Sequence, residues 1–184
     1  MHPIIYDVAV SADGFIAGPG GDVSKFPHDG PIVHDYASRS GRYAHVLMGR
    51  ATYEFGYAYG LSPGENPYPH AESIVISKTI ALPDDGDVTH WTSINDGCLD
   101  ELRARASGPI YLCGDGRLAA SLLAMGQIDE LRLKRAPVLL GGGTPLFTSA
   151  TPDATLRLRD QTDYGGGLLN QAFAVGSGED RDTG

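Results

Sequence analysis

Short apolar runs rich in β-branched residues recur along this chain, several of them closed by glycine and followed by a segment of helical character. Ile4-Ile5-Tyr6-Asp7-Val8-Ala9-Val10 opens the series as a buried strand, and residues 44–48, 73–77, 88–91 and 110–113 continue it. Helices are expected over residues 32–42 and over 97–106, the second capped by Asp96. A third follows Gly116, with Leu118, Leu122 and Met125 on one face and a stop at Gly126. Alternation of this kind builds a parallel sheet covered by helices.

The last third changes rhythm. Leu131 and Leu133 alternate with Arg132 and Lys134, and Leu156 and Leu158 alternate with Arg157 and Arg159. A period of two predicts strands with one wetter face, near an antiparallel sheet edge. A final strand is expected over 168–175 and a disordered tail over 176–184. Residues 11–22 are too rich in glycine to be regular, and 60–70 form a loop. With no repeat and no linker, the expectation is one α/β domain over residues 1–175. Its central sheet is mixed, mostly parallel, with antiparallel C-terminal strands.

Composition removes several classes of function. A formal net charge of −9 leaves little prospect of the basic face that nucleic acid requires. No apolar run approaches the roughly 20 residues that span a bilayer. The N-terminus has no basic segment followed by an apolar one, so the cytoplasm is the expected compartment. Cys98 and Cys113 have no metal-ligand spacing and are expected as free thiols, Cys113 as a small core residue. The histidines are scattered, so no metal is expected. The chain lacks a G-x-S-x-G elbow, a G-K-[ST] loop and a zinc-deaminase signature.

Two strand–glycine–helix junctions can carry chemistry. They are Leu47-Met48-Gly49-Arg50-Ala51-Thr52-Tyr53 and Leu112-Cys113-Gly114-Asp115-Gly116-Arg117-Leu118. Glycine lets a backbone approach a phosphate, the N–H groups opening a helix favour an anion, and each junction adds an arginine. Either glycine alone is a tight turn; two arginine-bearing junctions in one sheet point to a shared diphosphate. Neither is a full G-x-G-x-x-G fingerprint, since Ala119 fits only the variant third position and no acidic residue closes a following strand. Ser77-Lys78-Thr79, at the end of the third strand, is either a solvated strand end or a site for a further phosphate. Tyr53, Tyr57, Tyr59 and Tyr68 lie near the first junction and are expected to pack and to wall a pocket.

In order, residues 8–18, 46–54, 76–79 and 110–116 resemble the dihydrofolate reductase superfamily. Residues 122–131 and 136–147 are similar to RibD C-terminal domains, and the likeness spans roughly residues 4–175. This resemblance implies a three-layer dihydrofolate-reductase-like fold and NADPH lying across the strand ends. Ala9, Ile16, Ala17 and Gly18 would border the nicotinamide, while Gly49, Arg50 and Thr52 would meet the diphosphate and adenosine side. Ser77 and Lys78 would flank the 2′-phosphate, and Gly114, Gly116, Arg117 and Leu118 would close over the diphosphate. Asp115 stands where the family has a second glycine, and a carboxylate beside a phosphate opposes binding.

The proton donor of true dihydrofolate reductases falls near Asp35, with Asp13 and His34 as lesser candidates. Lys25-Phe26-Pro27-His28 replaces the Leu-Pro-Trp stretch expected before that helix, which moves the substrate away from folate. The reading is an NADPH-dependent reductase of a pterin-like or pyrimidine-derived heterocycle. A nucleotide-binding protein of the same fold without reductase activity is the alternative. The resemblance also implies a homodimer, to which residues 139–147 and the C-terminal strand edges can contribute.

Overall fold

A computed structural model describes residues 1–114, 116–148 and 151–176. The strands are β1 (Ile4–Val10), β2 (Phe15–Ala17), β3 (His45–Gly49), β4 (Glu72–Ile76), β5 (Thr89–Trp91), β6 (Ile110–Cys113), β7 (Glu130–Arg135), β8 (Thr144–Pro145), β9 (Thr155–Asp163) and β10 (Leu169–Gly176). The helices are α1 (Pro31–Ser40), α2 (Arg50–Phe55), α3 (Asp96–Arg105) and α4 (Gly116–Ala124). Eight strands form one sheet in the order β5-β4-β3-β6-β1-β7-β10-β9. The first six of these run parallel, and β10 and β9 close the sheet antiparallel.

Alternation along β1 sorts its side chains onto two faces. Ile4, Tyr6 and Val8 pack with Leu99 and Leu102 of α3 and with Leu118, Ala119 and Leu122 of α4. Ile5 packs on the opposite face with Tyr43, Val46, Met48, Tyr53 and Tyr111. That second layer carries phenolic oxygens of Tyr43, Tyr53 and Tyr111. The result is a three-layer α/β fold.

Four expectations change. Asn95, not Asp96, caps α3, its side chain accepting the Cys98 N–H at 3.0 Å. Residues 11–22 are not wholly irregular: Phe15–Ala17 forms β2, which pairs with β8. This pairing uses part of the 139–147 segment within the chain. Gly176 belongs to β10 rather than to a tail, and residues 177–184 of the expected disordered tail lie outside the described residues. The polar alternation of β7 also has a different cause. β7 lies inside the sheet between β1 and β10, and β9 is the true edge, exposed along its whole length.

Candidate active site

The two glycine junctions sit side by side because β3 and β6 are hydrogen-bonded neighbours. Gly114 adopts a φ of +59°, and a β-carbon there would stand 3.2 Å from Thr52 Oγ1. Only a residue without a side chain fits that turn at low cost. Gly49 is extended and opens α2. Gly116 has another reason for being glycine: its β-carbon would meet the Pro145 carbonyl oxygen at 2.4 Å. Arg117 is exposed and Leu118 buried at the start of α4, while Asp115 lies outside the described residues.

Arg50 reaches across to the end of β4. Its Nη1 donates to Thr79 Oγ1 at 3.0 Å, and its Nε donates to Glu54 Oε1 at 2.7 Å. Ser77 Oγ accepts the Thr79 and Ile80 N–H groups at 3.1 and 3.0 Å, which tightens the turn that carries exposed Lys78. Arg50, Ser77, Lys78 and Thr79 thus gather at one strand end, a donor set suited to a phosphate monoester. Glu54 is the group with which a phosphate would compete. These residues fit a 2′-phosphorylated dinucleotide.

The loop after β1 is fastened from below. Asp13 Oδ2 accepts the Gly141 N–H at 2.7 Å, and Asp13 also takes the Leu140 N–H and the Ser11 hydroxyl. Those donors, the Ser11 hydroxyl foremost, lower its pKa to about 2. Asp13 is therefore a clamp between two loops. Gly18 is buried, and a β-carbon on Gly143 would approach its backbone to 2.5 Å. Ile16 and Ala17, half-buried in β2, share this fixed platform with Ala9 at the end of β1.

A cavity of about 280 Å³ opens beside Ala9. Phe26, Ile32, Val33 and Tyr36 form one wall, and Lys134 and Ala136 of the β7 end form its floor. Pro27, His28 and Leu168 complete it. The lining is mainly apolar, with room for a small ring system. Ala9 and Lys134 are register partners on adjacent strands, about 4.8 Å apart across the ladder.

Beneath the cavity lies a buried ion cluster. Asp7 is 0% exposed; Lys134 Nζ stands 3.3 Å from its Oδ1 and Arg39 Nε stands 3.4 Å from its Oδ2. The Tyr43 hydroxyl donates to Oδ2 at 3.0 Å, and Arg39 also reaches Asn170 at 3.4 Å. The Lys134 ammonium lies 3.3 Å from the centroid of the Tyr36 ring. Burial lowers the Lys134 pKa, and Asp7 opposes that shift. Burial also raises the Tyr36 hydroxyl to about 12 and pushes up the half-buried Cys113 thiol, which contacts Tyr68.

The remaining sequence candidates lie elsewhere. Asp35 is exposed on α1 and accepts the Tyr164 hydroxyl at 2.5 Å, and it does not line the cavity. His34 is exposed against Asp29 at 3.1 Å. Tyr53 and Tyr68 pack into the second layer, while Tyr59 is 71% exposed. Both cysteines are free thiols, no group of three metal-ligating side chains occurs among the described residues, and no described helix is long and apolar enough to cross a membrane. Sequence reasoning did not reach Lys134, Asp7 and Arg39. Charged residues inside strand and helix patterns were the available signal, and the alternation around Lys134 read as a face toward water.

The YwjB protein of Bacillus subtilis (strain 168), itself uncharacterized, is 30% identical over 162 residues, covering 86% of this chain and 90% of its own. A putative riboflavin biosynthesis protein from Shewanella sp. PV-4 superposes with a TM-score of 0.79 at 23% identity, over 96% of this chain and 100% of that one. Dihydrofolate reductase from Enterococcus faecalis, complexed with NADP(H), gives a TM-score of 0.66 at 16% identity, over 95% and 97% of the two chains. The two structural likenesses establish a dihydrofolate-reductase-like fold. Residues 3–169 match the RibD C-terminal domain family, and the chain belongs to it.

Proposed function

We propose that this protein is an NADPH-dependent reductase that transfers hydride to a small pterin-like or pyrimidine-derived heterocycle. One observation carries the reading: the phosphate-suited ends of β3, β4 and β6 share one sheet with β1, whose Ala9 lines the apolar cavity. In the strand order β4-β3-β6-β1 the β6 junction lies beside β1 and the β3 junction one strand further, and Ala9 of β1 borders the cavity. Gly49, Thr52, Gly114 and the start of α4 hold the diphosphate, and Arg50 and Lys78 hold the 2′-phosphate. Ala9 and Ile16–Gly18 would border the nicotinamide of an NADPH held there, which would supply the hydride. Phe26, Ile32 and Val33 exclude water from the ring that receives it. Equilibrium titration with NADPH tests the reading.

A second copy of the chain is the proposed partner. The edge strand β9 is exposed throughout, with Leu156 and Leu158 at 43% and 51% exposure, a surface that natural sheets seldom leave bare. Sedimentation is expected to give a dimer at micromolar concentration, and a monomer there would refute the pairing.

A further inference from the structure

We propose that Lys134 is the substrate-facing polar group of the cavity: it binds a carbonyl oxygen or ring nitrogen of a neutral or anionic heterocycle and protonates that atom as hydride arrives. This rests on the reductase reading and gives it a substrate polarity and a proton source.

Three observations lead there. Lys134 lines the cavity and is the register partner of Ala9, so its ammonium sits one strand away from the hydride-delivering side. Beneath the cavity two cations share one buried carboxylate: Asp7 contacts both Lys134 and Arg39, so it does not fully neutralise the Lys134 ammonium. Finally, no carboxylate among the described residues lines the cavity, since Asp7 is fully buried and Asp35 is exposed outside it. A protonated ring therefore meets a cation, and a ring with an acceptor meets a donor.

The groups facing the ammonium are Asp7 on β1, Tyr36 and Arg39 on α1, Cys113 on β6 and Asn170 on β10. Asp7 holds the proton on Lys134, and burial favours its release. In the step itself, a substrate C=N or C=O bond takes hydride on carbon from the reduced nicotinamide, which leaves oxidised. The heteroatom takes the Lys134 proton, giving C–H and N–H or O–H. Water entering at the exposed His28 side reprotonates the amine.

The test is titration, without nucleotide and at slightly acidic pH, of two rings of similar size: the barbiturate anion and protonated 2,4-diaminopyrimidine. The barbiturate is expected to bind about tenfold or more tightly, as a hydrogen bond to a charged group implies. Lys134→Met should erase the preference and Lys134→Arg should keep part of it. Asp7 retains Arg39 in both variants, so neither leaves a buried carboxylate unpaired. Equal or tighter binding of the diaminopyrimidine, a preference that survives in Lys134→Met, or no binding of either ring overturns the proposal. NADPH affinity is measured separately on the same variants and is expected to stay within about twofold of wild type, well under the tenfold that 1.4 kcal/mol represents. A wild-type chain that shows the ring preference but binds no NADPH refutes the reductase reading and its proton step, and keeps the binding role of Lys134.

Discussion

Lys134 Nζ stands 3.3 Å from Asp7 Oδ1, a cation–carboxylate contact between neighbouring strands under α1. Asp7 also holds Arg39 and Tyr43, so this one buried carboxylate organises the polar layer. Asp7→Asn leaves two cations without their counter-charge in that layer. The expected loss is about 3–5 kcal/mol of unfolding free energy, the range for breaking one side of a buried pair. Lys134→Met should cost less than Asp7→Asn, because Arg39 still pairs with the carboxylate. Urea denaturation gives both values, and the reverse ranking would contradict this account.

Gly116 is where backbone packing, rather than a ligand, demands glycine. Gly116→Ala drives a β-carbon to 2.4 Å from the Pro145 carbonyl, so α4 or β8 must shift. Overpacking of that kind costs about 1–3 kcal/mol. The control is Gly142→Ala, where nothing lies within 4 Å of the new carbon and the expected change is about 0.5 kcal/mol or less. Thermal unfolding separates the two variants; equal melting temperatures would remove the packing explanation for Gly116.

Much of the sheet was legible in the sequence, because its parallel strands are buried on both faces and read as continuous apolar runs. Ile4–Val10 and Ile110–Cys113 fall where the pattern predicts them. β2 and β8, at three and two residues, are too short for any periodicity to register. The glycines of the two strand–helix junctions were visible as local motifs. Lys134 was not: its alternation with Leu131 and Leu133 signals a polar face, but whether water or α1 covers that face depends on residues far along the chain. The same limit applies to Asp35, whose position on α1 matched a donor by order but whose side chain turns toward Tyr164.

The Asp13 clamp predicts a specific acid response. Its carboxyl is held at about 2, below its ordinary value of 3.8, by the Ser11 hydroxyl and the Gly141 and Leu140 N–H groups. A lowered carboxyl stabilises the fold above its unfolded pKa and loses that contribution as pH falls through the folded one. The amide resonances of Leu140 and Gly141 should therefore titrate with a midpoint near 2. A midpoint near 3.8 would mean the clamp is absent in solution.

Arg50 bridges α2 and the segment after β4 through Thr79, and the proposed reading gives it the 2′-phosphate. Arg50→Ala should weaken NADPH binding by about 10–100-fold, as loss of a charge-assisted hydrogen bond worth about 1.5–3 kcal/mol implies. NADH binding, which involves no 2′-phosphate, should hardly change. Parallel titrations read the difference, and an equal loss for both nucleotides would place Arg50 elsewhere.

The central claim is that these strand ends form a site for the phosphorylated dinucleotide. Equilibrium titration of the intact protein with NADPH and, separately, NADH tests it most directly. The account predicts saturable NADPH binding at micromolar concentrations, an affinity of about −8 kcal/mol, with NADH at least about tenfold weaker. No NADPH binding at millimolar concentration would contradict it.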